Sequence, residues 1–364
     1  MNHQQLTSNK YIGCLLGTAV GDAIGLPCEG LSRRRRQRLY PDVARHHLIF
    51  GKGMISDDTE HTCMVAQSLL VAGEDDKKFA RALAWRLRCW LLGLPAGVGY
   101  ATLRAIVRLW LGFGFDRSGV FSAGNGPAMR SAILGVCYGG DRDRLRQWVR
   151  IATRMTHTDP KAEYGALAVA IAAHLSSQHV SLTPDEYLHH LQRSLDDAAT
   201  EFLTLIERAC HSAAVDETAV SFADDLGLSR GVGGYVYHTV PVVIQIWLRH
   251  QADYHSAIAE IVALGGDTDT TAAIVGGIIG ARVGKNGIPQ PWLDALWEWP
   301  RTVRWMETLG TRLSMQQSNL SPLPEQHRIQ STALPLPLGS ILLRNLFFLI
   351  VVIFHGFRRL LPPY

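Results

Sequence analysis

Glycines four residues apart mark two stretches of this chain: Gly13, Gly17, Gly21 and Gly25 in one, and Gly276, Gly280 and Gly284 in the other, where Ala273, Gly277 and Ala281 stand beside them. Residues four apart lie on one face of a helix, so each series makes a stripe bare of side chains. Glycine inside a helix costs about 1 kcal/mol relative to alanine, and a repeated cost needs a structural reason. Close backbone approach is one. Either the two helices cross each other at the centre of the fold, or each stripe receives bulky side chains from other partners.

The rest of the chain reads as helical too. Residues 11–25, 60–72, 80–92, 101–111, 162–175, 185–210, 241–249, 254–264 and 270–283 are rich in helix formers with recurring apolar positions. Strand-like alternation is scarce. Residues 236–247 are β-branched enough to be ambiguous, and Pro241, which suits a helix first turn, favours a helix there. There is no 20–50-residue repeat. Residues 315–332 are polar, rich in Gln and Ser, and carry Pro322 and Pro324, as a linker does. The expected layout is a compact all-α domain over residues 1–312, a polar linker over 313–333 and an apolar tail over 334–364. With 47% hydrophobic and 19% charged residues, the 364-residue chain can bury a substantial core. Its net charge of +4 is too small to argue for nucleic-acid binding. The six cysteines form no CxxC pair, which reads as reduced thiols in a cytoplasmic protein. Residues 1–10 are polar, so no secretory leader is expected.

Two clusters carry chemistry. Ser56-Asp57-Asp58-Thr59 precedes one apolar helix; Gly265-Gly266-Asp267-Thr268-Asp269-Thr270 precedes the small-residue helix. One such cluster is ordinarily helix capping, because Ser, Thr and Asp favour N-caps and acids are stabilised at helix N-termini. Two change the balance. The second lies between a glycine turn and a nearly uncharged helix, so its acids are expected to lie deep. Unpaired buried carboxylates are costly, and no Lys or Arg stands within ten residues of them. A hard cation is the natural partner, and oxygen ligands suit Mg2+ or Mn2+.

With these clusters in place, the chain resembles the ADP-ribosylglycohydrolase family over about residues 11–310. The segments that carry the likeness stand in family order: 17–25 leading to Glu29; 56–59; Gly124-Asn125-Gly126-Pro127-Ala128-Met129-Arg130; Thr156-His157; Gly234-Tyr235-Val236; and 265–270. The resemblance implies a compact all-α fold with a central binuclear centre of two Mg2+ or Mn2+ ions. By position, Ser56, Asp57, Asp58, Asp267, Asp269 and Thr270 would be its ligands. Ser56 stands where the family usually has Thr and keeps the ligating oxygen. Glu29 matches the family's mobile acid; the alternative is a plain surface glutamate. Glu29, Asp58 and Asp269 are the candidates for catalytic base or electrostatic stabiliser.

For the substrate, the resemblance gives Gly124, Asn125 and Gly126 a place against the diphosphate or distal ribose, and adds His157 and Tyr235. Without it, 124–126 is a loop turn, His157 a capping or core histidine, and Tyr235 a packing residue. The implied reaction is hydrolysis of the bond between ADP-ribose and a modified acceptor, with a protein arginine expected first; serine linkages, nucleic-acid bases and small esters stay open. The rival is a non-catalytic, crystallin-like or ADP-ribose-binding relative. A monomer is expected. The run Arg33–Arg36 reads as a solvated basic patch. In the tail, residues 346–354 are unbroken apolar sequence; nine helical residues reach only about 14 Å, less than half a bilayer core of roughly 30 Å. The tail is expected to contact a membrane, as a strained span or an interfacial anchor, or another protein, rather than to dock on the catalytic body, because a long polar linker precedes it.

Overall fold

The computed structural model describes residues 3–178, 180–319 and 332–362. Among these it is helix and loop, with isolated β-bridges and no sheet. In chain order the helices are α1 (His3–Gly25), α2 (Arg33–Leu39), α3 (Asp57–Ala72), α4 (Asp76–Leu92), α5 (Tyr100–Trp110), α6 (Gly126–Met129), α7 (Ala132–Tyr138), α8 (Arg142–Arg154) and α9 (Pro160–Ser176). They continue as α10 (Pro184–Gln192), α11 (Thr200–Ala214), α12 (Ala219–Asp225), α13 (Val236–Arg249), α14 (Tyr254–Ala263), α15 (Thr268–Val283), α16 (Gln290–Asp294), α17 (Val303–Asn319) and α18 (Leu338–Arg358). The all-α expectation stands.

The two glycine stripes meet each other. A Cβ on Gly17 would fall on the carbonyl of Gly276, one on Gly13 on the carbonyl of Gly280, one on Gly21 on that of Ala272 and one on Gly25 on that of Thr268. The pairing runs antiparallel along the length of α1 and α15. It also positions the second acid cluster, because the C-terminal end of α1 comes to rest on the N-terminal end of α15, where Thr268 donates to the Gly25 carbonyl at 2.8 Å. Helix α14 pins the crossing through the Tyr254 hydroxyl, which donates to the Gly17 carbonyl at 2.6 Å. Residues 268–281 of α15 are all buried, which explains its apolar, small-residue sequence: it has no solvent face.

Three expectations about elements are corrected. Residues 185–210 are two helices, not one: Ser194 donates to the His190 carbonyl at 2.9 Å as α10 closes, and a 3-10 turn over Asp197–Ala199 leads into α11. Pro241 lies inside α13, not in its first turn. Helix α17 extends to Asn319, so the start of the expected linker is helical; residues 320–331 of that linker lie outside the described residues.

The tail docks on the body, contrary to expectation. Arg344 of α18 pairs with Glu298 at 2.6 Å, with both side chains at most 2% exposed. The same guanidinium donates to the Ile55 carbonyl at 2.5 Å, and Asn345 donates to the Gly93 carbonyl at 2.7 Å. His355 hydrogen-bonds the Leu48 carbonyl and meets the Tyr40 hydroxyl at 3.3 Å. Polar residues that looked like interruptions of an apolar run are the docking face. Of the two helices among the described residues long and apolar enough to cross a membrane, α1 is the buried centre of the fold, whereas only 28% of α18 is buried.

Candidate active site

The crossing brings the two acid clusters together. Ser56 caps α3, with its Oγ accepting from the Asp58 backbone at 3.3 Å and donating to Asp58 Oδ2 at 3.0 Å. From α15, 212 positions away, the Thr270 hydroxyl donates to the same Asp58 oxygen at 3.2 Å. Asp269 is buried beside them, and Asp57 and Asp267 are half-buried. Glycine is required at the turn before α15: Gly265 and Gly266 have φ of 72° and 87°, where a side chain is strained. This lets Gly266 pair with Gly30 (2.7 Å) and Leu31 (2.8 Å), which holds the Glu29 loop against the second cluster.

Sequence reasoning missed the residue that holds the first cluster in place. Asp22 of α1 is fully buried. It accepts from the backbone of Ser56 at 2.9 Å and of Thr59 at 3.1 Å, and from the Thr59 hydroxyl at 2.5 Å. These are unpaired donors of the α3 N-terminus. Burial pushes Asp22 up to about 7, although the bonds from Thr59 and Ser56 oppose the rise. The available signal was a lone acid within the apolar 17–25 stretch.

The donor set fits a hard divalent cation. Asp58 Oδ1 and Asp269 Oδ1 are buried without a hydrogen-bond partner. Burial, then neighbouring carboxylates, push Asp57, Asp58 and Asp269 well above the usual carboxylate range. Buried oxygens of like charge call for a shared positive ion. Among the described residues the side chains are not drawn into a closed shell of three or more His, Cys, Asp or Glu. Ser56, Asp57, Asp58, Asp267, Asp269 and Thr270 are the residues that could hold such an ion. Glu29, Ser56, Asp57 and Asp269 line a cavity of about 140 Å³, whose far wall includes Ala96, Phe348, Val352, His355 and Arg359. A larger, mostly apolar cavity of about 360 Å³ lies between α3, α4 and residues 334–341, away from the acids.

The expected substrate residues form a second group, joined to the acids through Asn125. Its amide donates to Asp267 Oδ2 at 2.7 Å and to Thr239 at 3.0 Å, and its backbone donates to the Gly234 carbonyl at 2.9 Å. Gly124 pairs with Tyr235 in an isolated bridge. Both Gly124 and Gly126 lie against the His157 ring: a Cβ on either would come within 3.1–3.2 Å of it. His157 is buried, and burial, then Arg130, lower it to about 3, so it is neutral. Arg130, also missed as a site residue, is buried and donates to Thr156 at 2.6 Å, to the Ala152 carbonyl at 2.9 Å and to His61 at 3.0 Å. The Tyr235 hydroxyl accepts from Lys161 at 3.1 Å. The arginine run of α2 is not a uniform solvated patch: Arg36 is buried and donates to the Ala263 carbonyl at 2.8 Å, and Arg33 pairs with Asp224 at 2.8 Å.

Comparisons with known proteins bear on the family and the fold. The model of the ADP-ribosylglycohydrolase family matches residues 3–322. An uncharacterized protein of Archaeoglobus fulgidus is 32% identical over 84% of this chain and 95% of its own length. The ADP-ribosyl-[dinitrogen reductase] glycohydrolase of Rhodospirillum rubrum is 26% identical over 79% of this chain and 90% of its own. The ADP-ribosylhydrolase ARH3 of Mus musculus is 25% identical, over 78% and 86%. A solved structure described as an ADP-ribosylglycohydrolase-related protein complex superposes with a TM-score of 0.58 at 27% identity, over 86% of this chain and 99% of that one.

Proposed function

This chain belongs to the ADP-ribosylglycohydrolase family, and from that premise we propose that it hydrolyses the bond between ADP-ribose and a modified acceptor, with a protein arginine as the first acceptor to test. The observation that carries this reading is the meeting of the two acid clusters, where Asp58 and Asp269 each keep a buried oxygen without a hydrogen-bond partner. Ser56, Asp57, Asp58, Asp267, Asp269 and Thr270 would hold two Mg2+ or Mn2+ ions. Such ions, when bound, lower the pKa of a water and orient it with the ribose hydroxyls.

The remaining work falls to the chain's own residues. Asn125, fixed between Asp267 and Thr239, orients the distal ribose or diphosphate. Gly124 and Gly126 let the neutral His157 ring pack close against their turn, which backs the loop that meets the ligand. Tyr235 faces the adenine or ribose. The leaving bond breaks through an oxocarbenium-like state, and a carboxylate of Glu29, Asp58 or Asp269 offsets the developing positive charge or takes the proton of the attacking water. The test is release of free ADP-ribose from ADP-ribosylated arginine, serine and nucleic-acid substrates, with Mg2+ or Mn2+ and with EDTA. Folded protein that binds ADP-ribose by calorimetry yet releases none from any of them would be a binding relative, and the hydrolase reading would fall.

A further inference from the structure

The family match ends at residue 322, and α18 lies beyond it. This helix has two unlike faces. The inner one docks through Arg344, Asn345, Phe348, Val351 and His355, all buried. The outer one is apolar and open, with Leu346, Ile350, Phe354 and Phe357 each 59–67% exposed. The helix contains no acidic residue. Its 21 residues extend about 30 Å; Leu346 to Phe357 cover about 17 Å of that, exposed Leu338, Leu342 and Leu343 carry the apolar surface toward the other end, and so long an apolar stripe is more than a soluble surface normally leaves uncovered.

The loops that receive the helix add to this surface. Leu48, which meets His355, leads to Phe50, fully exposed at φ 46°; Gly93, which meets Asn345, is followed by Leu94, 73% exposed at φ 53°. A positive φ is disfavoured for bulky residues, and neither side chain gains burial in return. Half-exposed Trp297 packs edge-on against Phe347 of the helix, with ring centroids 5.5 Å apart. Cations border the stripe. Arg358 is exposed at its C-terminal end, where Arg35 of α2, the neighbour of exposed Arg34, bonds the Arg359 carbonyl; exposed Lys52, which donates to the Asp294 carbonyl at 3.2 Å, stands two residues after Phe50.

We propose that this face docks on a lipid surface bearing anionic headgroups, with the apolar stripe entering the headgroup–acyl boundary and Arg34, Lys52 and Arg358 meeting the phosphates. A second copy of the chain would bring the same cations against the same rim. A transmembrane span is incompatible with the docked face, because crossing would strip buried Glu298 of Arg344. The consequence for substrate rests on the proposed active site. The inner side of α18 lines the acid cavity through Phe348, Val352 and Arg359, about one helix diameter, ~10 Å, from the outer face. The acceptors such a centre meets are those presented at a lipid surface.

Flotation of the full-length protein with vesicles of phosphatidylcholine, alone or mixed with phosphatidylglycerol, tests the proposal. The protein is expected to bind the anionic vesicles at least ten-fold more than the neutral ones, and less at high salt. Phe354→Ser and Phe50→Ser, at exposed positions, should each lower vesicle binding at least ten-fold while ADP-ribose release from a soluble substrate is unchanged. Flotation that is absent, or as strong in both variants as in the wild type, overturns the docking. A dimer in lipid-free buffer that Phe354→Ser dissociates would assign the face to a second copy and overturn it as well. Vesicle binding without any hydrolysis would leave the docking standing and remove the active-site reading.

Discussion

Gly17→Ala adds one methyl group at the crossing of α1 and α15, and its cost can be worked from the contacts. The new Cβ would lie 3.0 Å from the Gly276 carbonyl carbon, 3.1 Å from Gly280 Cα and closer still to the Gly276 oxygen. Carbon atoms pack best at about 3.5–4.0 Å. All three obstacles are backbone, so no rotamer change relieves them, and with the Gly276 oxygen the nearest of them the helices must part by about 1 Å to reach ordinary contact. Overpacking of this kind costs about 1–3 kcal/mol. The buried bond from Tyr254 to the Gly17 carbonyl is stretched as well, a loss of about 1 kcal/mol. Alanine's better helix propensity offsets about 1 kcal/mol. The expected net is a destabilisation of about 1–3 kcal/mol, a large share of a typical stability of about 5–15 kcal/mol. Urea unfolding followed by circular dichroism reads it as a lower midpoint at unchanged slope. Gly339→Ala is the control: it lies in α18 with nothing within 4 Å and should be neutral or slightly stabilising. If Gly17→Ala unfolds at or above the wild-type midpoint, the close crossing is wrong. The displacement also reaches the Gly25–Thr268 contact, so affinity for Mn2+ should fall with stability.

Three further outcomes are expected. Asp269→Asn should cut ADP-ribose release by orders of magnitude and yet raise the melting temperature of metal-free protein, because it removes one of several repelling buried carboxylates; near-normal turnover in this folded variant would sink the proposed ligand set. Arg344→Ala leaves Glu298 buried and unpaired and should cost about 3–5 kcal/mol, with a loss of Mn2+ affinity since Arg344 and Glu298 also grip both backbone groups of Ile55, next to Ser56; calorimetry and thermal melts would show a stable variant if the tail is merely attached. His157 is lowered to about 3 in the fold against about 6.5 unfolded, so between these values the unfolded chain binds a proton the native state refuses, and stability falls as pH drops; at pH 5 the loss is about 2 kcal/mol. His157→Gln should flatten that part of the stability–pH curve, and an unchanged slope would mean that the histidine is accessible to protons.

What was legible in the sequence was whatever repeats or clusters locally. The glycine spacing foretold the α1–α15 crossing, and two runs of acids beside hydroxyls at helix starts foretold where carboxylates gather. Asp22 stayed hidden because its role depends on α3, whose N-terminus reaches it only in three dimensions. Arg130 stayed hidden because its partners, His61 and Thr156, come from other elements. The break between α10 and α11 carries no glycine or proline, so nothing in the apolar rhythm announced it. The tail misled for a physical reason: Arg344, Asn345 and His355 look like limits on an apolar run, but each satisfies a buried partner on the body. The sequence period showed an apolar helix and left open which side its few polar groups would find.

The antiparallel glycine contact also sets a timetable. Asp58 and Thr270 are 212 positions apart, and at about 5–20 residues per second of synthesis the first cluster waits on the order of ten to forty seconds for the second. During that interval the bare stripe of α1 has no partner, and three oxygen-bearing residues alone make a poor cage for a hard ion. Contacts of such long sequence separation form late, since loop closure must be met before they stabilise anything. Uptake of the proposed ions would therefore be a finishing event in the life of this chain, and a nascent protein interrupted before α15 should emerge without either its paired acid clusters or its core.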